Sequence, residues 1–220
     1  MSQQSKIVIL FGRSGCGKGT QAKLLIKEFG FEYLGSGDLL RGRNTQDDFT
    51  GKKLKKVMEE GRLVPSPVMF KIWTEKVEEM KDKIDKKGII FDGSPRTLLE
   101  AELINDVFKW YEWDNVKVVL LDISEKEAFD RLTKRRICKK CGKLIPWVGD
   151  FRGMKVCNDC GGELITRDDD KPDAIRERLD FFNKDVQPAI EYYEKQERLI
   201  RVDGDKSIED VYYDIKKEIQ

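Results

Sequence analysis

Lys6-Ile-Val-Ile-Leu-Phe-Gly-Arg-Ser-Gly-Cys-Gly-Lys-Gly-Thr20 is the stretch of sequence that decides the fold. Its first half is a short apolar run rich in β-branched residues, which predicts a buried strand, and its second half is rich in glycine. A helical pattern follows, with apolar residues three or four positions apart from Ala22 to Phe29 and Gly30 as its C-cap. A strand, a glycine-rich turn and a helix with Lys18 at the junction are typical of a phosphate-binding loop.

The glycine-rich turn has the chemistry to hold phosphate groups. Glycines let several backbone N–H groups converge on phosphate oxygens, the helix N-terminus adds positive potential, and Lys18 supplies a mobile charge. The strict pattern G-x-x-x-x-G-K-[ST] is met up to Lys18, but Gly19 stands at the Ser/Thr position, one place before Thr20. A glycine-rich turn with a chance lysine is the alternative, although the strand and helix both lie where the motif requires them. The residues expected to contact the phosphates of a nucleotide are Gly15, Cys16, Gly17, Lys18, Gly19 and Thr20.

The composition excludes several classes of function. The chain of 220 residues carries 42 Lys and Arg against 41 Asp and Glu, so its charge gives no reason to expect a nucleic acid or an anionic membrane as partner. No apolar run approaches a membrane span and Met1–Lys6 does not resemble a signal peptide, so we expect a cytoplasmic protein. The chain has no histidine, which removes the commonest general base. Phosphoryl transfer, which depends on positioning and charge stabilisation, is compatible with this composition.

Strand-like and helix-like patterns alternate along the chain, which predicts β-α-β units and a parallel sheet. The strand-like segments are 7–11, 32–34, 88–91, 117–122 and 199–202. Ser124 and Glu127 have the spacing of a capping box at the start of a helix, and Ser207 is expected to begin the last helix. Pro172 suits the first turn of a helix, and Pro188 is expected to kink or interrupt it.

Four cysteines lie in the region 137–170, where the alternating pattern stops. They form two C-x-x-C-G knuckles, Cys138 with Cys141 and Cys157 with Cys160, and fifteen residues separate the knuckles. Two such knuckles supply the tetrahedral set of thiolates that zinc prefers, so we expect a closed, structural Zn²⁺ site that lets a small lobe fold. Two disulfides, which a reducing cytosol disfavours, and bound iron are the alternatives. Cys16, the fifth cysteine, is interpreted as a small residue that fills the glycine-rich turn.

The order and spacing of further motifs, over nearly the whole chain, resemble those of the adenylate kinase family. Phe91-Asp-Gly-Ser-Pro-Arg-Thr97 is similar to that family's D-G-F-P-R-T signature. A lid that carries four cysteines at such spacing also occurs in the family. The segments similar to the two ends of the family's monophosphate-binding lobe, the two ends of its lid and its last strand and turn are 33–41, 61–65, 130–136, 164–170 and 202–204.

The resemblance implies an α/β fold, namely the three-layer P-loop NTPase fold with a parallel five-stranded sheet and two inserted lobes. The core is expected to comprise residues 1–34, 65–135 and 171–220, the helical monophosphate-binding lobe residues 35–64, and the zinc-binding lid residues 136–170. The implied reaction is reversible phosphoryl transfer from Mg·ATP to AMP, which gives two ADP. Closure of the lid would exclude water that could otherwise hydrolyse ATP. A monomer is the habit of the family.

The resemblance also assigns roles to arginines, and the chemistry supports them because two nucleotides bring many negative charges together. The implied catalytic set is Lys18, Asp92, Arg96, Arg135, Arg167 and Arg178, with Asp92 orienting Mg²⁺ through water. Arg131, on the same helix face as Arg135, is assigned to the donor adenine, and both belong to the ATP site. The residues assigned to the AMP site are Ser36, Arg41, Arg62, Val64, Gly93, Arg96, Glu100, Arg167 and Arg178. Solvated ion pairs are the alternative reading of each arginine.

Three residues depart from the family's pattern. Ser14 replaces a proline in the phosphate loop, and Ser94 replaces the phenylalanine of D-G-F-P-R. Glu100 stands where the family's adenine-reading glutamine is found. An ionised glutamate alone favours guanine, whose N1 and N2 both donate, whereas a protonated Glu100, or one that reaches only N6, would accept adenine. Because the rest of the chain resembles an adenylate kinase, AMP is the expected acceptor, with weaker discrimination between bases than a glutamine would give.

Other functions remain as alternatives. The nearest is the same reaction with another acceptor, such as GMP or a pyrimidine monophosphate. A GTP-dependent switch would carry N-K-x-D, which Asn183-Lys-Asp185 does not match, and a zinc-ribbon nucleic-acid binder would carry excess positive charge with interleaved aromatic residues.

Overall fold

A computed structural model describes residues 6–167 and 169–220 of the chain. The predictions that fall on residues 1–5 and on Asp168 in the lid's second end lie outside these residues. No helix in the described residues is long and apolar enough to cross a membrane.

A parallel sheet of five strands forms the centre of the molecule, in the order β2-β3-β1-β4-β8. Each of the predicted strands is confirmed to within one residue at either end. The central strand β1 pairs with β3 through Ile7↔Ile89 and with β4 through Ile7↔Val116. The strands of this sheet are β1 (Ile7–Phe11), β2 (Glu32–Gly35), β3 (Ile89–Asp92), β4 (Val116–Asp122) and β8 (Leu199–Asp203).

Helices cover both faces of the sheet, which gives the three layers expected of the α/β fold. The helices are α1 (Lys18–Phe29), α2 (Ser36–Arg43), α3 (Phe49–Glu59), α4 (Ser66–Lys87), α5 (Leu98–Trp110), α6 (Glu125–Lys134), α7 (Pro172–Phe181), α8 (Gln187–Glu194) and α9 (Ile208–Ile219). Between α7 and α8 the residues Phe182–Val186 form a π-helical turn, which confirms that the chain is interrupted just before Pro188.

Two hydrophobic clusters hold the layers together because alternate residues of each strand point to opposite faces. Ile7 and Ile9 belong to the cluster under α4, α5 and α8, which also takes in Leu54 of α3. Val8 and Leu10 belong to the cluster under α1, α6, α7 and α9. Parallel strands buried on both faces explain why β1 is a continuous apolar run.

Several helix ends form as their residues predict. Gly30 ends α1 in the left-handed conformation, and the Ser207 side chain accepts from the Asp210 N–H at the start of α9. Ser124 accepts from the Glu127 N–H at 3.1 Å. The reciprocal half of that capping box is different, because the Glu127 carboxylate accepts instead from Arg131 Nε at 2.7 Å.

Residues 136–165 contain a separate antiparallel sheet in the order β6-β5-β7, with strands β5 (Arg136–Cys138), β6 (Leu144–Ile145) and β7 (Leu164–Ile165). Its only helical turn in the described residues is the 3₁₀ turn Gly149–Phe151, so the expectation of a region without a long helix is confirmed.

Candidate active site

The glycine-rich loop joins the carboxyl end of β1 to α1. The connection from β1 runs to β2 on one side of the sheet, whereas the connection from β3 crosses to β4 on the other side. In open parallel sheets, ligands bind at the carboxyl ends of the strands where the connections diverge in this way. Gly12 has a φ of 142°, and a Cβ there would lie 2.5 Å from both Cys16 Sγ and the Leu121 carbonyl oxygen. Only glycine therefore fits at this bend. Cys16 is buried against it, as its interpretation as a filling residue predicts.

The Lys18 ammonium lies over the loop at the first residue of α1. Its Nζ donates to the carbonyl oxygens of Gly12 at 2.7 Å and Arg13 at 3.1 Å. Both acceptors belong to the loop itself, so the positive charge is held where the helix N-terminus also attracts anions.

Arg13 anchors the loop to Ile123, which follows β4, and to the π-helical turn. Its guanidinium donates to the Ile123 carbonyl oxygen and to Asn183 Oδ1, each at 3.1 Å, and lies 4.7 Å from the centre of the Phe182 ring. Asn183 donates in turn to Glu125 of α6 at 3.0 Å. The π-helical turn thus ties the loop to α6 and α7.

Asp92, the last residue of β3, lies beside the start of α1. A Cβ at Gly19 would be 3.6 Å from Asp92 Oδ2, and the same oxygen accepts from the Tyr33 hydroxyl at 3.0 Å. Burial, the charge of Asp92 and then that of Asp38 raise the pKa of Tyr33, so this hydroxyl stays protonated and donates.

Three of the predicted arginines converge on two aspartates. Asp170 accepts from Arg135 Nε at 2.7 Å and Nη2 at 2.6 Å, and from Arg178 Nη2 at 2.9 Å. Asp169 accepts from Arg167 Nη2 at 2.8 Å and from Arg178 Nη1 at 3.4 Å. Arg135 follows α6, Arg167 follows β7, and Arg178 lies in α7. The two carboxylates therefore join three separate segments.

Asp170 is the buried centre of this cluster, with 3% of its surface exposed. Burial opposes its charge, but the Arg135 hydrogen bonds and the charges of Arg135, Arg178 and Arg167 outweigh burial and lower its pKa. The carboxylate is therefore ionised at neutral pH and offsets part of the repulsion among the arginines.

The pKa values of Arg167, in the cluster, and of Arg96 reflect the charges around them. Burial lowers the pKa of Arg167, and the positive charges of Arg135 and Arg41 lower it further. Burial also lowers the pKa of Arg96, which the charge of Arg178 lowers and that of Asp92 raises. Arg96 is therefore within electrostatic range of both Asp92 and Arg178.

A second group of the predicted residues lies on the loop after β3 and at the start of α2. Arg96 Nε donates to the Gly93 carbonyl oxygen at 2.7 Å, and its guanidinium lies 5.8 Å from the centre of the Phe181 ring. Ser36 and Ser94, both buried, share a hydrogen bond between their hydroxyls. Ser94 thus replaces an apolar ring by a polar contact.

Glu100 is buried, with 2% of its surface exposed. Its Oε2 accepts from the backbone N–H of Arg96 at 2.7 Å, whereas its buried Oε1 has no hydrogen bond of ordinary geometry with the described residues. Burial raises the pKa of Glu100, and the Arg96 N–H, the Arg96 charge and the nearby Ser66 hydroxyl reduce that rise without cancelling it.

Other predicted residues have partners outside the group of arginines on Asp169 and Asp170. Arg41 pairs with Asp38 at 2.7 Å and Arg62 pairs with Glu60, both near the surface. The Val64 side chain is buried in the hydrophobic cluster under α4.

Arg131 and Arg135 do not share partners, although they are four residues apart. Arg135 is the residue after the last turn of α6 and binds Asp170. Arg131 is 8% exposed and donates to the Gly204 carbonyl oxygen at 3.1 Å and to Asp205 at 3.2 Å. Because α6 ends at Lys134, Arg131 lies within the helix and Arg135 lies beyond it, so the two side chains reach different partners.

The four lid cysteines form one cluster, in which all Sγ atoms lie within 4.8 Å of one another. The distances are 3.5 Å from Cys138 to Cys160 and 3.6 Å from Cys141 to Cys157, so the cysteines are free thiols and the alternative of two disulfides is not found. A tetrahedral zinc with bonds of about 2.3 Å needs sulfurs about 3.8 Å apart. The cluster therefore fits a structural zinc ion.

Sequence analysis did not single out Asp169, Asp170, Tyr33 or Arg13. The signal for the aspartates was an acidic run directly after Arg167, at the boundary of the cysteine region. Tyr33 carried no signal, because a tyrosine at the end of a strand is ordinary core.

Comparisons with known proteins agree on one family. The sequence model of the family described as adenylate kinase matches residues 10–198. An adenylate kinase of Methanocella arvoryzae is 37% identical over 217 residues, which cover 96% of this chain and 97% of the relative. Adenylate kinases of Petrotoga mobilis and Caldanaerobacter subterraneus are 37% and 38% identical, over 93% and 96% of this chain and 93% and 94% of their own lengths.

Proposed function

The chain belongs to the adenylate kinase family, and on that premise we propose how its own residues carry out the family's reaction. The reaction is reversible transfer of the terminal phosphoryl group of Mg·ATP to AMP, which gives two ADP. The chain is therefore a nucleoside monophosphate kinase, and the roles below are those that its geometry supports.

The observation that carries the assignment is the cluster of arginines on Asp169 and Asp170, which has Arg96 within electrostatic range of its Arg178. Asp92 lies beside Gly19 at the start of α1, and its charge acts on Arg96. The charge of Arg178 also acts on Arg96, and Arg178 shares Asp170 with Arg135. A donor bound at the loop and an acceptor bound at Arg96 would thus meet among the clustered arginines.

The arginines supply the electrostatic part of catalysis. Phosphoryl transfer spreads charge over the oxygens of the moving group, and planar guanidinium groups bind such oxygens in pairs. Arg135, Arg167 and Arg178 are largely buried and are paired with Asp169 and Asp170. Phosphate oxygens would compete for the same N–H groups, so the cluster is preorganised for anions.

The transfer itself needs no basic side chain. An oxygen of the AMP phosphate is already anionic at neutral pH, attacks the terminal phosphorus of ATP, and the bond from that phosphorus to the bridging oxygen breaks. The absence of histidine from the sequence is consistent with this mechanism. Lys18 is placed to neutralise charge on the donor phosphates.

Mg²⁺ enters with ATP as part of the substrate and neutralises charge on the phosphates. Asp92 is the carboxylate that lies beside the phosphate loop and the first turn of α1. We assign to it the orientation of the hydrated metal through water.

The acceptor is held by Arg41 and Arg96, with Glu100 at its base. Glu100 Oε1 is the buried atom still open to a partner, and burial favours the protonated form of this carboxyl. A protonated Oε1 donates to N1 of adenine, whereas an ionised one accepts from the N6 amino group. AMP therefore remains the acceptor, with GMP or a pyrimidine monophosphate as the alternative.

The two inserted lobes are proposed to bind different nucleotides. Residues 35–64 carry Arg41 and would close over AMP, residues 136–170 would close over ATP, and residues 1–34, 65–135 and 171–220 would form the core. A zinc ion on Cys138, Cys141, Cys157 and Cys160 would keep the lid rigid. We also propose that the protein acts as a monomer in the cytoplasm, without nucleic-acid or membrane partners.

Initial rates with Mg·ATP and a panel of AMP, GMP, CMP and UMP test the assignment. AMP is expected to give the highest kcat/KM, with ADP as the product from both substrates. A higher kcat/KM for GMP would make this a kinase for a different acceptor. No transfer to any of the four would contradict the proposed reaction.

A further inference from the structure

Tyr33 reaches the active site from the neighbouring strand but has none of the roles described so far. It lies in β2 and pairs in register with Ile90 of β3, two residues before Asp92. Its ring packs against the hydrophobic cluster under α1. Its hydroxyl donates to Asp92 Oδ2 at 3.0 Å.

The surroundings of Tyr33 fix the position of this hydroxyl. A Cβ at Gly35 would lie 2.5 Å from Tyr33 Oη and 2.9 Å from Asp38 Oδ2, so the hydroxyl is packed against the backbone with a second carboxylate nearby. The ring is held by the core and the oxygen by the backbone of β2. The bond to Asp92 is thus made by a donor that has little freedom to move.

We propose that Tyr33 is a positioning residue for Mg·ATP, which acts by fixing the carboxylate of Asp92. This inference rests on the proposed role of Asp92 toward the hydrated metal. A carboxylate at the end of a strand rotates about its last side-chain bond, and a hydrogen bond from a rigid donor selects one orientation. An oriented carboxylate loses less conformational freedom when a metal-bound water docks on it.

The test compares Tyr33→Phe, Asp92→Asn and the double variant with the unmodified protein. Tyr33→Phe keeps the packed ring and removes only the hydroxyl. Tyr111→Phe is the matched control, because the Tyr111 hydroxyl also donates to a carboxylate, that of Glu78, away from the site. Rates are measured against free Mg²⁺, and Mn²⁺ binding in the presence of ATP is followed by water proton relaxation.

Tyr33→Phe is expected to lower kcat about tenfold and to raise the half-saturating free Mg²⁺ about threefold, which is the usual effect of one hydrogen bond to a charged group. Mn²⁺ should bind the ATP complex more weakly by a similar factor. The KM for AMP and the melting temperature should stay unchanged, as should every parameter of Tyr111→Phe. In the Asp92→Asn background, Tyr33→Phe should cause no further loss, because the two groups act as a unit.

Two results would overturn the proposal, and they differ. If Asp92→Asn lowers kcat but Tyr33→Phe changes neither the Mg²⁺ dependence nor Mn²⁺ binding, Tyr33 does not position the carboxylate. If Asp92→Asn itself has normal kinetics, the assigned role of Asp92 fails and the inference about Tyr33 fails with it.

Discussion

Single side chains at this site are held in environments that no neighbouring side chain shares. Lys18 sits where the loop carbonyls of Gly12 and Arg13 hold its charge at the helix N-terminus. Glu100 keeps one buried oxygen without a hydrogen bond of ordinary geometry, while the Arg96 N–H donates to the other. Both positions could be predicted from sequence. Lys18 follows the glycine pattern of the loop, and Glu100 lies four residues after Arg96 of the segment similar to D-G-F-P-R-T.

Replacement of Lys18 by Ala should leave the protein folded and reduce kcat about 10³-fold, because the charge acts on the transferring group. The exposed Lys23 in the same helix is the matched control, and Lys23→Ala should have normal kinetics. Circular dichroism checks the fold and coupled initial rates check the activity. Near-normal turnover of Lys18→Ala would show that the loop 12–20 is not the catalytic phosphate site.

Glu100→Gln should keep or improve the use of AMP and should not enable the use of GMP. The amide offers a donor and an acceptor to adenine at any pH, whereas the burial that raises the pKa of Glu100 makes its donor depend on protonation. The KM for AMP of the unmodified protein should therefore rise as pH increases through the raised pKa, and that of Glu100→Gln should stay flat. A gain in kcat/KM for GMP would contradict this assignment.

At the scale of elements, the lid and the π-helical turn show the limits of sequence patterns. The knuckle spacing predicted the cysteine cluster, and Pro188 predicted an interruption, since both are local signals. The contacts that matter at the turn are not local. Arg13 meets Asn183 across 170 positions of sequence, and no periodicity in either segment indicates that pairing.

Purified protein should contain about one zinc per chain, and Cys157→Ser should remove the metal and destabilise the lid first. Elemental analysis and hydrogen exchange of residues 136–167 measure the two effects. Lys155→Ala, an exposed change next to the same knuckle, should keep the metal. Protein without zinc and with paired, oxidised cysteines would contradict the prediction.

At the scale of the whole molecule, the clustered arginines are like charges that folding must bring together. Asp169 and Asp170 offset this repulsion by joining the end of α6, the exit of the lid and α7. Sequence analysis found the arginines but not these aspartates, because the family motifs mark groups that bind ligands. The parallel five-stranded sheet was predicted from the alternation of elements and from the resemblance and is confirmed, whereas the bounds of the two lobes stay a prediction.

Asp170→Asn should lower the free energy of unfolding at pH 7 by about 2 kcal/mol, because it leaves buried arginines without their counter-charge. The pKa of Asp170 is lowered in the folded state, so its contribution is present above about pH 4 and is lost as pH falls through the lowered pKa. The difference between variant and unmodified protein should therefore shrink as pH falls below about 4. Urea titrations across this range measure it.

Asp173→Asn provides the control for that experiment. Asp173 is exposed on α7 and pairs with Arg176 at the surface, so its loss should change stability by less than about 0.5 kcal/mol at any pH. A difference for Asp170→Asn that does not vary with pH would mean that its ionisation does not stabilise the fold.

The two hydrophobic clusters have a consequence for how this chain can change over generations. Leu40, Leu54 and Val57 of the monophosphate lobe belong to the same cluster as the central strand, whereas neither cluster includes Ile145 or the lid cysteines. A mutation at one of these positions is therefore expected to disturb the packing under the central strand. Because the lid residues 136–165 contribute no residue to either cluster, we expect the lid to tolerate changes, including loss of its metal, that leave the packing around the five-stranded sheet unchanged.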